Sequence, residues 1–229
     1  KYAKQAEKFE AAGLYEEAAN YYYESLKRDK TNIEAIAGLK KNGEKVFQDY
    51  LDDFTELSKK GNDKEAISKY NITQDYSNKL EKVNIELEIP DYIKRDYEDL
   101  KNDYLLKKYN EGKVALGNEN FEKAHSIFKE VSRLDEDYKD VSNLKKIAFV
   151  EPYYKDAIKS YTEENYIKTY YLLENVYQLD PNYKDTKEIR EDCLEKGTYT
   201  VAIAGIKDVN GGANGHKIHA SLLNNLMNS

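Results

Sequence analysis

The sequence predicts an all-α fold: a solenoid of helical hairpins with some long helices, followed by a short C-terminal βα segment. Three observations carry this expectation. Leu134-Asp135-Glu136-Asp137-Tyr138-Lys139-Asp140 recurs as Leu179-Asp180-Pro181-Asn182-Tyr183-Lys184-Asp185, 45 residues on. Upstream of each copy, Phe121-Glu122-Lys123-Ala124 matches Tyr166-Ile167-Lys168-Thr169 at the same offset. A period of roughly 20–50 residues marks stacked units that bury their core only against neighbours. Apolar residues also recur at spacings of three and four along most of the chain, the signature of amphipathic helices. Finally, hydrophobic residues make up 40% of the chain and charged residues 34%, which suits thin buried stripes rather than one thick core. The 22 Tyr and 6 Phe supply large apolar bodies, and only three Pro interrupt the helices.

Residues 1–32 read as a first hairpin. Tyr2, Ala6 and Phe9 fall at helical spacing until Ala12-Gly13 breaks the pattern, and Tyr15, Ala18, Ala19, Tyr22 and Leu26 make a second stripe. The alanines let two helices approach closely and the aromatics fill the gaps. Residues 33–90 read as a long antiparallel pair. Ile36, Leu39, Gly43, Val46, Tyr50, Phe54 and Leu57 place one helix over 33–60. Ala66, Tyr70, Thr73, Ser77, Leu80, Val83 and Leu87 place the other over 63–88, with Gly61-Asn62 as the turn and Pro90 as the stop. Residues 91–196 hold two further hairpins. A helix starts from Asp91 as N-cap, runs through Tyr97, Leu100 and Tyr104, and either continues to Gly112 or kinks before it. Pro152 is expected to start or kink another helix.

The chain changes character at Gly197. Thr198-Tyr199-Thr200-Val201-Ala202-Ile203-Ala204-Gly205-Ile206 is β-branched and apolar, a strand signal. Asp208 to Gly215 reads as a loop, and Ile218, Leu222, Leu223 and Leu226 mark an amphipathic helix. Residues 197–229 are thus expected to open a truncated α/β domain, since half a βα unit leaves strand edges unpaired. The chain begins at Lys1 with neither Met nor signal peptide and reads as a processed or trimmed piece.

The hairpins resemble the tetratricopeptide repeat family. Gly13-x-Tyr15-x-x-Ala18-x-x-x-Tyr22 and Phe121-x-x-Ala124-x-x-x-Phe128-x-x-Val131 look like the second half of such a repeat. The last unit has Tyr166, Leu173, Val176 and the closing Asp180-Pro181-Asn182, and Gly112 sits where the family's first-helix glycine would be. The resemblance spans residues 1–196, with 33–90 as a degenerate repeat. Thr169 departs from the family's Ala, and no unit carries its Trp. The turn positions Tyr15, Asp63, Phe121 and Tyr166 lie further apart than the usual ~34 residues, so some helices must be longer than standard. By this resemblance the first helix of each repeat lines a concave groove. That implies Tyr109, Asn110 and Lys113 from one unit, and Tyr154, Lys155, Ile158 and Tyr161 from the next, as peptide-contacting residues. Rigid rings beside lysines suit an extended peptide; the plainer alternative is that these residues pack against adjacent helices. A second resemblance concerns Val201, Ala202, Ile203, Gly215 and Leu222-Leu223-x-x-Leu226, which look like the opening of the curli-export lipoprotein domain family. It implies a bacterial periplasmic or outer-membrane-associated setting, with the cytoplasm as the alternative.

The other motifs are weak. Gly211-Gly212-Ala213-Asn214-Gly215-His216-Lys217 lies between strand and helix signals, where anions bind helix N-terminal amides. A P-loop needs Gly-Lys-Ser/Thr together, whereas His216 intervenes and Ile218 replaces the hydroxyl. His216 and His219 lie three apart on the expected helix, a spacing that would let them share a metal with Asp208, but no HExxH and no Cys partner accompanies them, and solvated histidines are the plainer reading. His125 has no histidine nearby to build a nucleophile relay, and Cys193 stands alone, so it makes neither an internal disulfide nor a thiolate cluster. Carboxylate pairs such as Asp52-Asp53 and Glu163-Glu164 read as solvated helix faces, and the sequon Asn71-Ile72-Thr73 falls inside a predicted helix. A net charge of −7 opposes nonspecific attraction to nucleic acid, and no run of about 18 apolar residues offers a membrane span. The expectation is a non-enzymatic repeat scaffold for a protein or peptide partner, part of a larger complex, with no cofactor and no metal. One alternative is the repeat portion of an envelope lipoprotein used in export or assembly. Another is a nucleotide-binding module using the 205–217 loop.

Overall fold

The computed structural model describes residues 2–198, and everything structural below concerns those residues. They form nine helices: α1 Tyr2–Ala11, α2 Tyr15–Arg28, α3 Ile33–Lys59, α4 Asp63–Glu81, α5 Asp91–Gly117, α6 Phe121–Leu134, α7 Val141–Thr162, α8 Tyr166–Leu179 and α9 Thr186–Gly197. No strand occurs among the described residues. Two compact units divide between Phe149 and Val150, within α7 and within the stretch 91–196 that the sequence assigns to two hairpins. The βα segment expected over 197–229 lies outside the described residues beyond Thr198, as do His216, His219, Asp208 and the 205–217 loop.

Neighbours in sequence are neighbours in space. In the first unit α1 packs on α2, α2 on α3, α3 on α4, α4 on α5 and α5 on α6, and in the second unit α8 packs on α9. The stripes predicted for the first hairpin are the buried ones: Ala6, Ala18, Ala19, Tyr22 and Leu26. One core cluster runs from Ala3 to Tyr104, and a second from Leu105 to Ala148, with Leu134 packed against both. In the second unit Val150, Ala157, Leu173, Val176 and Cys193 are buried. Thr169, where an Ala is expected, is also buried, and its hydroxyl donates to the Asn165 carbonyl one turn back at 2.9 Å. That internal hydrogen bond removes the cost of burying a polar group at an alanine position.

One type of turn closes five of the described helices: α4, at Asn84, and the four that open directly onto the next helix. After α1, α3, α5 and α7 the residue at the bend takes a left-handed backbone: Gly13 (φ 75°), Gly61 (φ 72°), Glu119 (φ 58°) and Glu164 (φ 59°). The amide after each bend reaches back to a carbonyl five residues earlier: Leu14 to Phe9, Asn62 to Leu57, Asn120 to Ala115 and Asn165 to Ser160. This Schellman arrangement satisfies carbonyls the helix end leaves orphaned. The Asn120 and Asn165 side chains then cap the next helix by accepting from Lys123 N and Lys168 N, each at 3.3 Å. Two helices thus meet in a bend of three residues.

Two details correct the sequence reading. The helix expected over 63–88 stops at Glu81, because Asn84 turns left-handed (φ 63°) and Ile85 N reaches back to Leu80 O. Residues 85–90 then run without helix, with Ile85 and Ile89 buried and Glu86 and Glu88 exposed. That alternation belongs to extended chain, which Pro90 enforces on Ile89 and which β-branched side chains favour. Asp91 is the first residue of α5 rather than its cap; Pro90 holds the cap position, and its carbonyl accepts from Lys94 N at 3.1 Å. Pro152, free to start a helix or to lie inside one, takes the interior of α7. Of the two courses open to the third long helix, α5 passes through Gly112 as one continuous helix. A Cβ at Gly112 would stand 2.6 Å from the fully buried Phe128 ring, so close packing of α6 on α5 demands glycine there.

Candidate functional site

The duplicated sequence builds a duplicated structural module. In the first unit the Tyr109 hydroxyl, from α5, donates to Asp140 Oδ1 after α6. The Tyr109 ring meets Tyr138 edge-on at 5.8 Å, and the Lys139 ammonium lies 4.7 Å from the Tyr109 ring centre. In the second unit the Tyr154 hydroxyl donates to Asp185 Oδ1, and its ring meets Tyr183 edge-on at 5.7 Å. There the Lys184 ammonium lies 4.5 Å from the Tyr154 ring centre. Lys139 (φ 50°) and Lys184 (φ 48°) both take the left-handed backbone, which swings each ammonium onto its rings. Both turns open the same way: the Asp135 side chain accepts from Asp137 N, and the Asp180 side chain from Asn182 N, each at 3.1 Å. Each module therefore ties the first helix of a hairpin to the turn after the second.

These modules decide what the seven candidate groove residues do. Tyr109, Asn110 and Lys113 lie in the first unit, and Tyr154, Lys155, Ile158 and Tyr161 in the second, so each set stands by itself. Tyr109 is buried, its hydroxyl is engaged by Asp140, and its ring packs at steep angles against Phe128 and Tyr138. Asn110 and Lys113 are exposed on α5. Asn110 borders a surface cavity of about 560 Å³ together with Lys107, Val114, Asn118 and Lys123. Tyr154 is half-buried and held by Asp185, and burial with that carboxylate pushes its phenol well above the usual range. Tyr161 is half-buried, donates to Asp192 Oδ2 at 2.6 Å, and meets Tyr166 edge-on at 5.9 Å. Lys155 is exposed and Ile158 half-buried. The three tyrosines are thus fixed by intramolecular partners, while the exposed members are Asn110, Lys113 and Lys155.

Other titratable groups serve the fold. Glu10 accepts from Tyr22 Oη at 3.1 Å, Lys41 Nζ at 2.7 Å and Asn42 Nδ2 at 3.0 Å, joining α1, α2 and α3. Hydrogen bonds from Lys41 and then Asn42 hold the Glu10 carboxyl below its ordinary value, while burial and Glu10 push Tyr22 up to about 12. Burial, and then the Asp192 charge, push the Cys193 thiol up, which disfavours the nucleophilic thiolate. His125 Nδ1 sits 3.1 Å from the Lys145 carbonyl, and since a carbonyl only accepts, that nitrogen carries the proton. Asn71 of the sequon accepts from Tyr97 Oη at 3.2 Å, and Thr73 is buried. No group of three or more His, Cys, Asp or Glu arranged to hold a metal occurs among the described residues.

No protein-family model matches this chain, and comparison with curated proteins gives none similar to it.

Proposed function

We propose that the chain is a non-enzymatic helical-repeat scaffold, a tetratricopeptide-like array that presents exposed helix faces to a protein or peptide partner. The observation that carries this reading is how the two copies of the 45-residue module divide their residues. Positions engaged in the module are kept: Tyr109 and Tyr154, Glu119 and Glu164, Asn120 and Asn165, Asp140 and Asp185. Several exposed positions differ: Asn110 becomes Lys155, Ser126 becomes Tyr171, and Arg133 becomes Gln178. A repeat array works this way, with shared residues holding each unit and variable surface residues selecting the partner.

The test is affinity capture on the whole chain, followed by direct binding of the purified captured protein. Charge reversal of Lys113 and of Lys155 is made one at a time, leaving Tyr109 and Tyr154 untouched. We expect a direct binder whose affinity falls about tenfold with one of the two reversals, the usual cost of losing a close charge pair. Absence of any protein that binds directly would sink the scaffold reading. Full binding by both variants would move the contact to another face.

A further inference from the structure

We infer that a groove between α4 and α6 of the first unit binds an acidic peptide segment in extended conformation. This rests on the scaffold reading and names the partner's chemistry. Lys64, Ser68 and Asn71 of α4 face Ser126, Lys129 and Arg133 of α6 across an open cavity of about 570 Å³. Spacings of three, four and seven place each set along one helix face. The two walls are joined through α5, which packs on both α4 and α6, while Ile67 and Leu134 give the cavity its apolar lining. The α5 tyrosines reach into the walls, Tyr97 Oη donating to Asn71 at 3.2 Å and Tyr104 Oη to Glu130 at 2.7 Å.

The charge of the groove is opposite to that of the molecule. The chain carries −7, yet the groove holds three cations against one carboxylate. That carboxylate, Glu130, is already taken by Tyr104 and by Lys64 at 2.6 Å. Burial pushes the Glu130 carboxyl up, but its bonds to Lys64 and Tyr104 outweigh this and hold it below the ordinary value. Lys129 and Arg133, both exposed, have no hydrogen bond or ion pair among the described residues. Like charges one helical turn apart repel, costing about 0.2–0.5 kcal/mol. The repeat module does not require them, because Glu174 and Gln178 hold the matching places in the second copy.

The spacing favours a peptide. Lys129 and Arg133 are separated by about 6 Å of helix rise. In an extended chain, side chains two residues apart lie on one face about 6.8 Å apart. Carboxylates in an acidic-x-acidic pattern therefore match the two cations, while Ser68 and Ser126 offer hydroxyls to the peptide backbone. Charge-assisted hydrogen bonds of this kind are roughly twice as strong as neutral ones.

The probe is a fluorescein-labelled hexapeptide alternating Glu and Ser, titrated against the whole chain at low salt and read by fluorescence anisotropy. We expect it to bind, a Lys-Ser counterpart not to bind, and the Lys129→Glu/Arg133→Glu double variant to lose at least about tenfold in affinity. The Lys8→Glu/Lys40→Glu variant changes net charge equally at exposed positions on α1 and α3, neither of which lines the groove, and should stay within about twofold. Circular dichroism checks that both variants fold. No binding by the parent protein, or an equal loss in the control variant, would overturn the inference. Tighter binding of an oligodeoxythymidylate would overturn it too, reassigning the groove to phosphate. If the groove fails while a direct partner depends on Lys113 or Lys155, the scaffold reading stands without it. If both fail, the scaffold reading falls as well.

Discussion

Glu10 shows how much one side chain does in a thin core. Its carboxylate accepts from two neighbouring helices at once, and without it the Asn42 amide loses one of its two acceptors in a buried site. Because the Glu10 pKa is lowered on folding, its contribution is present above the ordinary carboxylate value of 4.5 and is lost as pH falls through the folded pKa. Urea unfolding at neutral pH and at about pH 3 should therefore show a smaller acid penalty in Glu10→Gln than in the parent. Equal penalties would show that Glu10 carries no linkage. Backbone strain at single residues gives a prediction of opposite sign. Glu119 and Glu164 occupy left-handed bends that Gly13 and Gly61 fill elsewhere. A left-handed non-glycine residue costs about 1–2 kcal/mol, and glycine's extra unfolded-state entropy returns part of that. Glu164→Gly should stabilise by about 0.5–1 kcal/mol in urea titrations, an unusual gain from deleting a side chain.

At the scale of elements, the tyrosine–aspartate tie between the first helix of a hairpin and the turn after the second sets how the pair closes. Tyr109→Phe keeps the ring against Tyr138 and Phe128 but removes the hydrogen bond to Asp140. The expected cost is about 1.5–3 kcal/mol, since the acceptor is charged, and Tyr154→Phe should behave alike with respect to Asp185. Chemical denaturation of both variants checks this; an unchanged midpoint would mean that water serves Asp140 equally well. Most helices were legible because an amphipathic stripe is a local signal: Tyr22, Leu39, Phe54 and Phe128 each sit where spacing puts the core. The end of α4 was not legible, because Val83 and Leu87 continue a helical stripe while Ile85, Leu87 and Ile89 also fit an alternating one. Asn84 and Pro90 resolve that conflict through backbone geometry that apolar spacing does not encode. Tyr109 and Tyr154 were visible as important residues, but their partners Asp140 and Asp185 lie 31 positions on, so the sequence left both groove and packing roles open. The α4–α6 groove was invisible for the same reason: Lys64 and Lys129 meet across a cavity only once α5 separates their helices.

At the scale of the molecule, stability is spread over many shallow faces instead of one centre. Consecutive helices bury stripes of Ala, Leu and Tyr, and no described helix is long and apolar enough to cross a membrane. In such arrays local opening is easier than in a single globule, because each unit depends chiefly on its nearest neighbours. The chain supplies its own reporter of opening. Cys193 is its sole cysteine, 2% exposed, with a thiol pushed up by burial. In native buffer at mildly alkaline pH, a thiol-specific chromogenic reagent should label it slowly, and in strong urea it should take up one equivalent quickly. About 2.7 kcal/mol of opening free energy gives roughly a hundredfold ratio between the two rates, so at least that protection is expected. Raising urea gradually should increase labelling before helix content falls by circular dichroism, if the region around α9 opens sub-globally. Rates that track the loss of helix point for point would instead mean that burial of Cys193 is lost only when the whole chain unfolds.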